Sequence, residues 1–131
     1  MLERIIIFLA IFSMATIVWL VAGKYRAIKA ASADAGKLFS RGKPAILYFW
    51  SEGCVVCRTL QKPAIESILS ENLVANLQFV AIDISEHPEL TSEWGVMTVP
   101  SSFVINEEGI CKYSNSGLVS KEFLTKQLQS L

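Results

Sequence analysis

The sequence predicts an α/β domain, a central mixed sheet of about four strands flanked by helices, preceded by one N-terminal transmembrane helix. Three observations carry this. Ile5 to Gly23 is an almost unbroken apolar run. The segments after it alternate as helix, strand, helix, strand, helix, strand, strand, helix. Cys54 and Cys57, spaced C-x-x-C, fall where a strand hands over to a helix. The first two strands, separated by a helix, are expected to be parallel through a right-handed crossover, and the last two to form a hairpin.

The 131 residues leave room for one small domain beside the N-terminal segment. We divide the chain into an anchor with its basic stop, residues 1–29, and a domain over residues 30–131. Net charge is zero, but up to Ala30 the residues Arg4, Lys24, Arg26 and Lys29 face only Glu3. The remainder is therefore mildly acidic. No basic patch interleaved with aromatics appears, which argues against nucleic acid as a partner. The hydrophobic fraction of 52% is raised by the first segment rather than by an unusually apolar core. Three cysteines, two of them close together, point to redox or metal chemistry and not to a disulfide framework.

Taken in order, Ile5–Gly23 contains only Ser13 and Thr16 as polar residues, and both can bond back to their own helix. Its nineteen residues reach about 28 Å as a helix, enough for a hydrocarbon core of ~30 Å. Trp19 and Tyr25 suit an interfacial belt, and Lys24, Arg26 and Lys29 form a charged stop. A leader cleaved near Ala31-Ser32-Ala33 is the competing reading. The run is longer than a signal core, and three cations separate it from that site, so the uncleaved anchor is preferred. Positive charge concentrated after the helix, with Lys37, Arg41 and Lys43 added, places the domain on the cytoplasmic side. The extracytoplasmic side is favoured only by analogy with other single-pass anchored domains.

Ala30 to Arg41 favours a helix ending near Gly42, with Pro44 beyond. Ala45 to Trp50 is β-branched and aromatic, a buried strand. A helix then runs to about Leu73 with Leu60, Ile65, Ile68 and Leu69 on its apolar spacing, bent by Pro63 about a turn after the cysteines. Leu77 to Ile84 is a mostly apolar strand, as expected if it is parallel and covered on both faces. Pro88 to Trp94 is a short helix stopped by Gly95. Val96 to Pro100 leads into a strand over 102–106, Asn106-Glu107-Glu108-Gly109 turns, and Ile110 to Ser114 returns. Gly117 breaks the hairpin, and Lys121 to Leu131 closes as an amphipathic helix with Phe123, Leu124 and Leu128 inward.

At a helix N-terminus the unsatisfied N–H groups and the partial positive charge favour a thiolate, so Cys54 and Cys57 read as a reactive pair. The competing reading is half of a zinc site. Only Cys111 and His87 are left to complete it, and Cys111 is expected in the terminal hairpin, away from the pair. No metal is therefore assigned. Cys111 reads as a small buried hydrophobe and His87 as a solvated surface residue.

From about Ala35 to Leu131 the chain resembles the thioredoxin family. The residues carrying the resemblance are Phe49-Trp50 ahead of Cys54, the Cys54/Cys57 pair, Asp83 ending a central strand, Val99-Pro100 at the family's cis-proline, and Gly117 after the hairpin. A single C-x-x-C is weak evidence; with a Val-Pro entering a strand about forty residues later it is strong. The family's usual first strand has no clear counterpart before Lys37, which leaves four strands. The resemblance implies that Cys54 attacks and Cys57 resolves, that Val99 and a cis Pro100 border the substrate groove with Gly117, and that Trp50 supports the loop.

Three departures stand out. Val55-Val56 replace the glycine and proline of common thioredoxins, and Gly53 stands where a tryptophan usually precedes the first cysteine. Tyr48 occupies the place of a buried aspartate, and its companion lysine is replaced by an apolar residue near Phe79. Glu52 is the substitute considered for proton transfer. The expected function is a membrane-tethered thiol–disulfide oxidoreductase that reduces protein disulfides and needs no cofactor beyond the Cys54–Cys57 disulfide. Its partners would be protein disulfides, an electron donor or acceptor, and the membrane. The alternative is a non-catalytic binding or assembly module using the groove beside Pro100.

Overall fold

The computed structural model describes the backbone of residues 1–34 and 37–131, and the side chains of residues 1–22 and 37–131. Helix α1 spans Leu2–Asp34, and its stretch Leu2–Ala22 has a mean hydropathy of 2.7, long and apolar enough to cross a membrane. Its large apolar side chains are exposed, because nothing in the folded domain covers them. Within it the Ser13 hydroxyl donates to Ala10 O at 3.0 Å and the Thr16 hydroxyl to Ser13 O at 2.8 Å, so neither polar group is left unpaired. The side chains of Lys24, Tyr25, Arg26, Lys29 and Ala31-Ser32-Ala33 lie outside the described residues.

The helix expected over Ala30–Arg41 holds as far as Asp34, within α1; residues 35–36 lie outside the described residues, and the expected helical end near Gly42 is corrected, because residues 38–43 form turns. Competing partners explain this. The Ser40 N–H donates to the Gln78 side-chain oxygen at 2.9 Å and the Gln78 amide donates to Ser40 O at 2.8 Å, while Phe39 is buried under the sheet. Backbone groups bonded in this way cannot close helical turns.

Strand β1 (Ala45–Trp50) is central in a four-stranded sheet of order β2-β1-β3-β4, with β2 at Gln78–Asp83, β3 at Ser101–Ile105 and β4 at Cys111–Ser116. It runs parallel to β2 and antiparallel to β3, and β3 and β4 form the hairpin. Alternation along β1 builds two cores. Ile46 and Tyr48 face Ile65 and Ile68 of α2 (Lys62–Glu71) and Leu124 and Leu128 of α4 (Lys121–Gln129). Leu47 and Phe49 face Phe39, Phe103 and Trp94, the residue that caps α3 (Pro88–Glu93).

Three expectations about faces change. β2 is an edge strand, and most of its residues are only partly buried, so it is not covered on both faces; hydropathy alone does not say that no strand lies beyond it. Phe123 is 50% exposed, because the buried stripe of α4 is Leu124, Gln127 and Leu128. Leu60 is 54% exposed while the adjacent Gln61 has no exposure at all. The buried stripe after the cysteines is therefore Cys57, Gln61, Ile65 and Ile68. The disturbance expected at Pro63 takes the form of a π-helical turn, Cys57–Gln61, with the Lys62 N–H bonded to Cys57 O. Proline donates no N–H to the turn before it, which lowers the loss from widening that turn.

Candidate functional site

The register brings three segments to one end of the sheet. Phe49 pairs with Ser101 and Ser101 with Ser116, so the loop after β1, the segment before β3 and the segment after β4 converge. Trp50, Cys54, Val99 and Val119 all pack on the core that contains Tyr48 and Cys57. A concavity lined by Pro44, Val74, Glu107 and Leu128 lies at the opposite end of the sheet from the cysteines.

Cys54 and Cys57 are joined as a disulfide with their Cα atoms 5.3 Å apart. Cys54 is partly exposed; Cys57 has no exposure. The loop is closed by the Cys54 N–H on Ser51 O at 3.1 Å, and the helix begins with the Arg58 N–H on Cys54 O at 3.4 Å. The Cys57 N–H points at Cys54 Sγ at 3.2 Å. Only the outer sulfur thus combines access to solvent with a backbone donor aimed at it.

The Val99–Pro100 peptide bond is cis. Pro100 O accepts the Gly117 N–H at 2.8 Å, which ties the second segment to the third. Gly117 sits at φ +88°, a left-handed conformation that a side chain at this position would strain. Exposed apolar side chains are Val55 and Val56 between the cysteines, Leu118 after Gly117 and, ahead of Pro100, Met97, which is 95% exposed; Glu52 and Arg58, on either side of the pair, are exposed charges. Neither Met97 nor Leu118 is singled out by the sequence, because one exposed apolar residue in a loop carries no periodic signal.

Beneath the pair, Tyr48 replaces a carboxylate with a buried hydroxyl. Its OH donates to Cys57 O at 3.0 Å, and its ring lies 6.0 Å from that of Phe79. Burial pushes the Tyr48 phenol up to about 12, so at neutral pH it is a neutral donor and not a proton acceptor. Because the folded state favours the protonated form, this contribution to stability is complete below the unfolded value near 10 and is lost as pH rises toward about 12. Urea unfolding of the full chain at stepped alkaline pH checks this. The native chain is expected to lose more stability across that window than Tyr48→Phe, and equal losses would refute the assignment. Cys111, also raised by burial, to about 11, contributes equally in both proteins and cancels.

Glu52 is exposed on the loop, and its carboxylate makes no hydrogen bond or ion pair among the described residues. Cys111 packs on the opposite face of the sheet from the pair, and His87 is exposed at the start of α3. Among the described residues, no three His, Cys, Asp or Glu side chains gather as a metal site.

The thioredoxin family model matches residues 27–130. Among curated relatives, the thioredoxin of Rickettsia bellii is 31% identical over 87 residues, covering 66% of this chain and 80% of its own. That of Rickettsia typhi is 33% identical over 81 residues, covering 62% and 74%. Among solved structures, a mutant thioredoxin from Halobacterium salinarum superposes with a TM-score of 0.63 at 23% identity, covering 75% of this chain and 82% of its own. StoA from Bacillus subtilis gives 0.56 at 21%, covering 66% and 83%. Matched over most of its length and carrying its cysteine pair at the strand-to-helix junction, the chain belongs to the thioredoxin family of thiol–disulfide oxidoreductases.

Proposed function

We propose that this protein is a membrane-tethered reductase of protein disulfides, with residues 1–29 as the anchor and 30–131 as the working domain. The observation that carries the reading is the asymmetry of the pair: a partly exposed Cys54 whose sulfur receives the Cys57 N–H, over a Cys57 without exposure. In the reduced protein the Cys54 thiolate attacks one sulfur of a substrate disulfide. That S–S bond breaks, the departing thiolate takes a proton from water, and a mixed disulfide remains. Cys57 then gives up its proton and attacks Cys54 Sγ, releasing the second substrate thiol and closing the Cys54–Cys57 disulfide. Two electrons pass to the substrate, and an external dithiol restores the pair. Glu52, on the solvent side of the loop, is assigned the exchange of that proton with water.

The groove beside Pro100 supports a polypeptide substrate. No hydrogen bond reaches the Val99 backbone among the described residues, so its N–H and C=O are open to an extended strand. The exposed apolar side chains of Val55, Val56, Met97 and Leu118 favour apolar residues next to the substrate cysteine. Trp50 backs the loop, and Gly117 holds the far wall against Pro100.

The test is reduction of insulin by dithiothreitol with the full chain in detergent micelles. A rate well above the uncatalysed one is expected, together with a reduction potential nearer ~−270 mV than ~−120 mV. No rate above background overturns the enzyme and leaves the binding module, which the Tyr48–Phe79 pair in place of Asp and Lys would suit. The domain is assigned to the cytoplasmic side on the cations that follow the anchor. Modification of Cys54 in intact cells by a membrane-impermeant thiol label would reverse that.

A further inference from the structure

Gln61 has no solvent exposure, whereas a glutamine on a helix beside an active site ordinarily stays in water. It closes the π turn that begins at Cys57, and both of its amide atoms go to one residue far away in the chain. The Gln61 Nε2 donates to Val119 O at 3.2 Å, and its Oε1 accepts the Val119 N–H at 2.9 Å. Val119 belongs to no strand or helix. Its segment is held at one end by the Gly117 N–H on Pro100 O and at the other by Ser120, whose hydroxyl caps α4 by accepting the Phe123 N–H at 3.2 Å. Between these points the amide does for residues 117–119 what a neighbouring strand would do. The Val119 side chain meanwhile packs on the core shared by Cys54, Cys57 and Trp50.

We propose that Gln61 is a positioning residue for substrate binding: it fixes segment 117–119 as one wall of the groove beside Pro100 and takes no part in electron transfer. This rests on the reading of the site as one that exchanges with protein disulfides. Without the amide, two backbone groups of Val119 lose their partners, and the segment moves toward water to regain them. A polypeptide that spans all three segments feels that displacement. A small disulfide that meets only the sulfurs does not.

The test uses the full chain in detergent micelles, reduced with dithiothreitol and freed of it. Its reaction with insulin and with a small aromatic disulfide that releases a coloured thiolate is followed side by side. Gln61→Met keeps the volume and removes both bonds. Its rate with insulin is expected to fall about tenfold, while the rate with the aromatic disulfide and the equilibrium constant for reduction of the Cys54–Cys57 disulfide by dithiothreitol stay within about twofold of the native chain. Gln61→Glu keeps the acceptor for the Val119 N–H but can donate to Val119 O only when protonated. Burial raises its pKa, so its insulin-to-aromatic rate ratio is expected to recover toward the native ratio as pH is lowered from about 8 to about 5. Rates that fall together, or an unchanged ratio, overturn the proposal. Should Gln61→Met not fold, the ratio for Gln61→Glu across pH decides alone. A native chain that reacts with the aromatic disulfide but not with insulin identifies the substrate reading as what failed.

Discussion

Cys54→Ser is expected to lower insulin reduction to the dithiothreitol background, a loss as large as the native excess over that background, and Cys57→Ser is expected to turn the protein into a trap for its substrate. The two outcomes differ because the two sulfurs differ. A serine hydroxyl is not ionised at neutral pH, and no other thiol can take over the attack. Cys111 packs on the other face of the sheet and is held protonated by burial. With Cys57 replaced, the first step is intact and the second is absent, so the mixed disulfide with Cys54 persists. It is measured as a covalent adduct on a non-reducing gel that dithiothreitol releases. Thermal melting of each variant separates loss of chemistry from loss of fold. An adduct formed by Cys54→Ser and not by Cys57→Ser would exchange the roles of the two residues.

What sequence reading captured and what it missed follow from the range of the interactions involved. β1 was legible because a strand buried on both faces is apolar without a break, and Cys54 was legible because its position depends on the junction next to it. Val99–Pro100 was singled out by resemblance to the family's pattern, and its peptide bond is cis at the entry to β3. The edge position of β2 was not legible, since an apolar strand reads alike whether it has one neighbour or two. The exchange of Leu60 and Gln61 between surface and core was hidden for a related reason. Hydrophobic spacing assigns the apolar residue inward, but Val119, 58 positions away, supplies both hydrogen-bond partners of the glutamine. The sequence also showed that Tyr48 is not a carboxylate. It could not show that the hydroxyl ends on Cys57 O, since that depends on the π turn.

Phe49→Ala is expected to destabilise the domain by about 3–5 kcal/mol, roughly a fifth or more of the ~5–15 kcal/mol that holds small domains together. Phe49 has no exposure and stands edge-on to Phe103 at 5.7 Å and tilted to Trp94 at 6.4 Å, while Trp94 and Phe103 meet at 4.9 Å. The substitution leaves a cavity among rings that cannot collapse into it without pulling β1, β3 and the end of α3 together. Trp94 leads directly into the 95–100 segment, so the damage reaches the wall that carries Pro100 as well as the core. Phe79→Ala is the matched control: Phe79 is only partly buried on the edge strand and loses chiefly its stacking on Tyr48, for less than half the cost. Urea unfolding of the full chain in mild detergent, followed by tryptophan fluorescence, measures both. A loss below about 1 kcal/mol for Phe49→Ala, or equal losses at the two positions, would show that the core does not depend on this cluster. With the expected loss, insulin reduction by Phe49→Ala falls on warming in step with its folded fraction, whereas Cys54→Ser stays inactive at temperatures where it is fully folded.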